Sequence, residues 1–251
     1  MAVLIFVLGA VLGSFYLVIA TRLPKGEDIL ISRSRCDNCK KELKWYNLIP
    51  IFSYIFQKGK CVYCHKKISP LHIIVELITG VLFLICYLLY GINYDFFAGL
   101  IVISLTIIIY ISDFKYMVIL DSPLVIAIIG IIILKLIYFG INSILLSVFS
   151  GFCLFLIMIL IQKLGEFMFK KDALGGGDIK FAFVIGLILD FELGLVAIIL
   201  STFLALPYSV ASLYLLKNNE VPYGPFLAGA LLMVFYTMDK FQILVDVLTS
   251  F

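Results

Sequence analysis

Charged residues are scarce in this chain of 251 residues. They make up 14% of it, while 63% is apolar, against roughly 45–50% in soluble domains. This excludes an ordinary water-soluble domain, and several runs approach the ~20 apolar residues that cross a bilayer. Alternation with a period of two, which a transmembrane β-barrel needs, is missing from runs such as IVISLTIIIYI. We therefore predict an all-α polytopic membrane protein.

The N-terminal apolar run lacks the basic residues that open a signal peptide, and it is long for the apolar part of one. We interpret it as a retained first transmembrane helix. Seven further runs have the composition of membrane spans, which gives about eight transmembrane helices. The predicted spans are 1–20, 72–91, 96–112, 122–139, 143–162, 179–193, 195–216 and 224–239.

Lysine and arginine are absent from three of the predicted connections, GINYDF, GINS and FELG. By contrast, residues 22–67 hold 11 of the 19 basic residues, and a basic excess marks cytoplasmic loops. Alternating the eight spans from this loop places the N-terminus outside. The predicted organisation is a first transmembrane helix over 1–20, a cytoplasmic basic loop over 21–71, and a helical membrane bundle over 72–251.

Two CxxC pairs lie in the basic loop, Cys36 with Cys39 and Cys61 with Cys64. Four thiolates in two such turns suit a tetrahedral Zn²⁺ site, and a metal would stabilise a loop too short to bury much of a core. Disulfides or free thiols are the alternatives, although a cytoplasmic location argues against persistent disulfides. His65 follows the second pair, and we interpret it as a bystander rather than as a substitute ligand.

Three acids lie at predicted ends of spans, where ionisable groups are costly and usually functional. Asp121 precedes Ser-Pro, and we favour a helix N-cap for it. Asp178 follows three glycines, which exceed what a cap requires. Asp113 ends the third span, at a helix C-terminus that disfavours a negative charge, although it could simply pair with Lys115.

Two facing aspartates can share one proton, because like charges at close range separate their titrations. One can then act as base on a water and the other as acid toward a carbonyl or a leaving amine. The motifs GxSxG, HExxH and the P-loop are absent from the sequence. Asp113 and Asp178 are therefore candidates for metal-independent peptide hydrolysis.

An ordered set of motifs resembles the bacterial type IV prepilin peptidases. It comprises GSFYLVIATRLP, SRSRCDNC, LIPIFSYIFQKGKCVYC, SDFKYMVILD, GGGDIK and VPYGPFLAGA, and it runs from about Gly13 to Ala230. GSFY and FQKGKC look most like the branch that processes competence pseudopilins. The resemblance implies a GxGD-type aspartic protease of the bacterial cell membrane. It would cut type IV prepilins or pseudopilins on the cytoplasmic side, after a short basic leader.

Carried over residue by residue, the family's catalytic aspartates fall on Asp113 and Asp178, and its four cysteines are those of the two CxxC pairs. The glycines would then let Asp178 swing into register and leave room for an extended substrate backbone. The resemblance also implies N-methylation of the new N-terminus with S-adenosylmethionine, whose binding residues stay unassigned. Departures at Leu17, at 71–73 and at 119–121 bear on methylation rather than on proteolysis.

Two other classes of function compete with this interpretation. A proton-coupled transporter would place its carboxylates near mid-membrane, whereas these acids are predicted at one face. A non-catalytic zinc-loop scaffold would leave Asp113 and the GGGD segment unexplained. A third alternative is a protease of the same class that acts on archaeal-type preflagellins, but such proteases usually lack the four-cysteine loop. We expect prepilin substrates and membrane lipid as partners, and no nucleic acid.

Overall fold

The computed structural model describes residues 1–29, 34–36, 38–170, 174–216, 221–238 and 241. Its helices are α1 Ala2–Arg22, α2 Phe52–Phe56, α3 Leu71–Tyr90, α4 Tyr94–Tyr116, α5 Asp121–Phe139, α6 Ile141–Phe169, α7 Gly176–Ala211 and α8 Gly224–Tyr236. Six of these, all except α2 and α8, are long and apolar enough to cross a membrane. The described residues contain no β-strand beyond two isolated bridges in the cysteine loop. The all-α polytopic prediction is confirmed.

Some predicted positions lie outside the described residues. They are residues 30–33 and Asp37 of the basic loop, residues 171–173 and 217–220 of two predicted cytoplasmic loops, and residue 239 at the end of the last predicted span. Within the description, α8 has 13 residues, which rise only about 20 Å at 1.5 Å per residue. A hydrocarbon core is about 30 Å thick, so the described part of the last predicted span is shorter than a full crossing.

The chain divides into two compact units, Met1–Ile92 and Asn93–Phe251. In the first unit, α1 packs along α3. A Cβ on Gly9 would lie 2.9 Å from the Cα of Gly80, so the two helix backbones are in direct contact there. Small residues allow this close approach between membrane helices, and Gly13 repeats it one turn further along α1.

In the second unit, α4 is the most deeply buried of the spanning helices. It packs against α5 and α8, while α7 packs against α5, α6 and α8. A Cβ on Gly186 of α7 would lie 2.7 Å from the Cα of Gly151 in α6, so these two helices also meet backbone to backbone. This arrangement brings the C-terminal end of α4 and the N-terminal ends of α7 and α8 into one region.

Most of the two predicted spans 179–193 and 195–216 lies in α7, which ends at Ala211 and reverses direction at Asp190. Residues eight apart in a straight helix are separated by about 12 Å along its axis, yet a Cβ on Gly194 would lie 3.6 Å from the Cα of Gly186. Asp190 alone departs from helical geometry, with φ 61° and ψ −172°. We expected the connection at FELG, so its position was wrong: the turn precedes that segment and is tighter.

A polar cluster joins the reversal to the neighbouring helices. The ammonium of Lys135, which is buried in α5, lies 3.2 Å from a carboxylate oxygen of Asp190 and also donates to the hydroxyl of Ser147 in α6. The Ser147 hydroxyl donates to the same carboxylate oxygen at 2.8 Å. These bonds fasten the turn to α5 and α6.

Candidate functional site

Asp113 lies in the last turn of α4, as its position in the sequence predicts. Its side chain is 6% exposed, and its carboxylate oxygen Oδ2 accepts a hydrogen bond of 3.0 Å from the backbone N–H of Gly224, at the start of α8. The structure therefore gives Asp113 a partner from a distant segment. Lys115, the alternative partner, lies with its ammonium 5.4 Å from the centre of the Tyr116 ring.

Asp178 lies in the first turn of α7, where its N–H donates to the carbonyl of Gly175 at 3.1 Å. Its side chain is 7% exposed, and its oxygen Oδ1 is buried without a hydrogen-bond partner in the described structure. Buried carboxylate oxygens are nearly always paired. An unpaired one at a helix terminus is available to a water molecule or to a bound ligand.

The two aspartates converge around the side chain of Ile119, in the connection between α4 and α5. A Cβ on Gly177 would lie 2.8 Å from the Cβ of Ile119, and a Cβ on Gly224 would lie 2.8 Å from its Cδ1. One isoleucine thus packs against the glycine that precedes Asp178 and against the glycine that binds Asp113.

The three glycines before Asp178 differ in their surroundings. Gly176 and Gly177 are part of α7, and none of the three has a positive φ. Gly177 has no room for a side chain because Ile119 occupies the space, whereas a Cβ on Gly176 would meet nothing within 4 Å. Gly177 thus fits closely against Ile119 at the α7 terminus, while the predicted swing of Asp178 stays a prediction.

Asp121 does not cap a helix, so our favoured interpretation of this acid was wrong. It is the first residue of α5, and Leu120 occupies the N-cap position without any side-chain capping bond. The Asp121 carboxylate pairs with the ammonium of Lys180, at 2.8 and 2.9 Å, and both side chains are more than half exposed. Its hydrogen-bond partner is thus a side chain near the start of α7 rather than the backbone of its own helix terminus.

The four cysteines come together as predicted, in the first unit. Their sulfur atoms all lie within 4.8 Å of one another, and those of Cys36 and Cys64 are 3.8 Å apart. Four sulfurs about 2.3 Å from one tetrahedral zinc ion are about 3.8 Å apart. The cluster therefore matches a tetrahedral four-sulfur site after a contraction of at most about 1 Å in the longer separations.

Both CxxC pairs lie in the same kind of turn. In each one, the first cysteine donates its N–H to a carbonyl five residues later, and its carbonyl accepts the N–H of the residue four positions later. An antiparallel bridge closes each turn, Arg35 with Glu42 and Lys60 with Lys67. His65 has a φ of 55° in the second turn and belongs to the turn backbone, outside the group of four ligands.

Hydrogen bonds to sulfur favour the thiolate at Cys36 and Cys64, whereas, against a backbone N–H of Lys41, desolvation and the neighbouring sulfurs raise the pKa of Cys39 to about 11. The backbone N–H of Lys66, followed by the side-chain amide of Asn38, lowers the pKa of Cys64 to about 6. A backbone N–H of Cys39 is the main cause that lowers the pKa of Cys36. Thiolates are the forms that bind metal ions, so the donor set fits a soft divalent cation.

Comparisons with known proteins agree with this organisation. Residues 7–90 match the bacterial peptidase A24 N-terminal domain, and residues 100–210 match the type IV leader peptidase family. A prepilin leader peptidase/N-methyltransferase from Bacillus subtilis (strain 168) is 32% identical over 246 residues, which cover 94% of both chains. The chain belongs to the type IV leader peptidase family. Type IV leader peptidases are aspartic proteases.

Further type IV leader peptidases are similar over much of the chain. A protein with the same name from Vibrio cholerae is 29% identical over 94% of this chain and 96% of its own length. Another from Myxococcus xanthus is 32% identical over 70% of this chain and 52% of its own length. No solved structure matches the chain.

Sequence reasoning missed two residues that shape the site, Gly224 and Ile119. Gly224 lies within the quoted motif VPYGPFLAGA, and the proline that follows it predicts the start of a helix. The sequence has no signal that this glycine donates to Asp113. Ile119 has no polar group, so only its contacts in the folded chain reveal its position between the two aspartates.

Proposed function

We propose that this protein is a membrane-embedded aspartic endopeptidase that removes the leader peptide from type IV prepilins or pseudopilins. Asp113 and Asp178 are the catalytic pair. The observation that carries the proposal is the convergence of two buried carboxylates around Ile119, each at a terminus of a membrane helix. Relatives named prepilin leader peptidase/N-methyltransferase support the choice of substrate.

In the reaction, one carboxylate is ionised and the other is protonated. The ionised carboxylate accepts a proton from a water molecule, whose oxygen attacks the scissile carbonyl, while the protonated carboxyl donates its proton to the carbonyl oxygen. The resulting diol collapses when its C–N bond breaks: the carboxyl that took the proton of the water gives it to the amine nitrogen, and the other carboxylate takes a proton from a hydroxyl of the diol. Each aspartate therefore exchanges roles once, and the pair returns to its starting state.

Structural details around the pair fit these steps. The Gly224 N–H holds one oxygen of Asp113 at 3.0 Å, which fixes the orientation of that carboxylate. Oδ1 of Asp178 has no protein partner among the residues that the structure describes, which leaves it available for the attacking water or for the substrate carbonyl. A transporter would favour carboxylates in mid-membrane, whereas these two belong to terminal turns of their helices.

We place the site at the cytoplasmic face of the bacterial cell membrane, with the N-terminus outside. The basic loop that joins α1 to α3 supports this orientation. From an outside N-terminus, alternating crossings bring the end of α4 and the start of α7 to the same cytoplasmic side as this loop. A prepilin with a basic cytoplasmic leader would present its cleavage site at that face.

The test of the catalytic pair is mass spectrometry of a pilin co-expressed with each variant. Asp113→Asn and Asp178→Asn should each abolish cleavage while the protein still accumulates in the membrane. Asp121→Asn is the matched control, because it changes an aspartate in the same region that is paired on the surface. Cleavage at a near wild-type rate by either of the first two variants would refute the pair.

We further propose that Cys36, Cys39, Cys61 and Cys64 bind one structural Zn²⁺ per chain. Bound zinc would supply a cross-link between the two turns rather than chemistry at the aspartates. Elemental analysis of the purified protein should find about one zinc, and the double variant Cys36→Ser/Cys61→Ser should lose it. Cys153→Ser, in α6, is the control that keeps the metal. Metal-free wild-type protein, or metal retained in the double variant, would contradict the site.

N-methylation of the newly exposed residue is the second activity that we propose, in accordance with the names of the relatives. S-adenosylmethionine would supply the methyl group, and we assign it no binding residues. The mass of the mature pilin separates the two activities, because methylation adds one methyl group to the cleaved product. A product that is always cleaved and never methylated would refute this second activity. It would not contradict the proposed peptidase activity.

A further inference from the structure

The basic loop carries an exposed aromatic segment, which we define as residues 44–58. It contains a short 3₁₀ helix, Trp45–Leu48, and the helix α2, and neither has a buried residue. Trp45 is 77% exposed and Phe56 is 81% exposed, and five further apolar side chains here are more than a third exposed: Tyr46, Leu48, Ile49, Phe52 and Ile55. Apolar patches of this extent are unusual on surfaces that face water.

A hydrogen bond fixes the position of the aromatic segment along the axis of the membrane helix α3. The N–H of Ile51 donates to the carboxylate of Glu76 at 2.7 Å. Glu76 is buried and lies five residues beyond the start of α3 at Leu71, which is about 7.5 Å along the helix axis. The aromatic segment is therefore held level with the second turn of a spanning helix, where such a helix passes from water into hydrocarbon.

Backbone strain indicates that this attachment is specific. Ile51 has a φ of 65°, a region that β-branched residues rarely adopt because of steric clashes. Such a conformation persists only where the surroundings impose it. The buried carboxylate of Glu76, which accepts the N–H of this same residue, is one such constraint.

The charges around the segment complement an anionic surface. Residues 43–75 include five lysines and no aspartate or glutamate. Lys44 and Lys58, at the two ends of the segment, are exposed, and the Lys44 ammonium lies 5.9 Å from the centre of the Tyr46 ring. Aromatic rings together with lysines are typical of protein segments at the membrane–water interface.

We propose that residues 44–58 form an interfacial anchor for the four-cysteine loop. Its rings insert at the boundary between headgroups and acyl chains, and its lysines contact anionic phospholipid headgroups. The occupant of this surface is therefore the bilayer that the protein itself spans. The proposal is independent of the proposed peptidase activity, because it concerns only where the loop lies.

The sequence offers a direct probe, because Trp45 is the single tryptophan. The full-length protein can be reconstituted in vesicles of phosphatidylcholine and phosphatidylglycerol that contain brominated lipids. Bromine near the glycerol end of the acyl chains should quench Trp45 more strongly, by roughly twofold, than bromine near their methyl ends, as expected for shallow insertion. Aqueous acrylamide, a neutral quencher, should quench it weakly.

Variants test the separate parts of the proposal. Charge reversal at Lys44 and Lys58, by Lys44→Glu with Lys58→Glu, should make Trp45 more accessible to acrylamide in the anionic vesicles. The matched control, Lys44→Arg with Lys58→Arg, should behave as wild type. These side chains are exposed, so the variants test the anchor without a change in the core.

Two results would overturn the anchor. One is quenching of Trp45 by acrylamide as strong as that of a free tryptophan analogue, with no effect of brominated lipid. The other is protection of Trp45 only after a prepilin peptide is added, which would assign this surface to the substrate. Fluorescence gives either answer whether or not the preparation cleaves a prepilin, so failure here is distinguishable from failure of the peptidase assignment.

Discussion

Alanine at Gly177 should impair catalysis, whereas alanine at the adjacent Gly176 should not. A Cβ on Gly177 would lie 2.8 Å from the Cβ of Ile119, and ordinary contact begins at 3.4 Å, so the two groups must separate by about 0.6 Å. The Ile119 atom is attached directly to the backbone and cannot rotate away. The displacement therefore passes to Asp178, the next residue in α7.

The size of the effect follows from the precision that catalysis requires. Misplacement of a reacting group by about 1 Å can cost ~100-fold in rate, so a shift of about half that size should lower kcat by roughly 10- to 100-fold. KM should change little, because no substrate contact is removed. Gly176→Ala adds a methyl group to open space, and alanine in a helix is favoured over glycine by about 0.4–1 kcal/mol. It should keep its activity and unfold at a slightly higher temperature.

The assay is the rate of cleavage of a purified prepilin in lipid–detergent micelles, followed by mass spectrometry, with thermal unfolding measured on the same samples. The pair of variants separates two explanations for the GGGD segment. If the glycines acted as a flexible hinge, both alanines would slow cleavage to a similar degree. Equal losses would thus refute the packing explanation, and so would full activity of Gly177→Ala.

The remaining predictions concern other contacts of the second unit. Gly224→Ala would place a Cβ 2.8 Å from a carboxylate oxygen of Asp113, so cleavage should fall by at least about 10-fold while the protein stays folded; a wild-type rate would contradict this. Asp121→Asn loses only an exposed ion pair, worth about 0–1 kcal/mol, so its cleavage rate and unfolding temperature should stay near wild type. A loss of cleavage equal to that of Asp113→Asn would show that Asp121 takes part in catalysis. Asp190→Asn should lower the unfolding temperature in detergent more than Lys135→Met does, because Asp190→Asn leaves the buried ammonium of Lys135 without a counter-charge. A larger decrease for Lys135→Met would contradict this explanation.

Composition and pattern decided the fold class and the candidate residues. Spans of apolar residues are recognisable because a bilayer imposes the length and polarity of each helix locally. The two CxxC pairs were equally recognisable in the sequence, because each forms its own turn from neighbouring residues. Asp113 and Asp178 stood out because an acid at the end of an apolar helix is costly.

Other features depend on contacts between distant parts of the chain. The sequence predicted a cap for Asp121 from its local Ser-Pro context, but its carboxylate pairs with Lys180 in another helix. The reversal lies at Asp190, just before FELG, and Lys135 and Ser147 bind its carboxylate there. In both cases the partners lie on other helices, and the local sequence does not reveal them.

The sequence by itself determined that this is a polytopic helical membrane protein with two candidate aspartates and four clustered cysteines. Only the tertiary structure decided that the aspartates converge around Ile119, that Gly224 holds Asp113, and that Gly177 rather than Gly176 is constrained by packing. The physical reason is that these relations are steric and depend on the approach of helices remote in sequence. The sequence around an apolar side chain or a glycine does not indicate which distant residue it will contact.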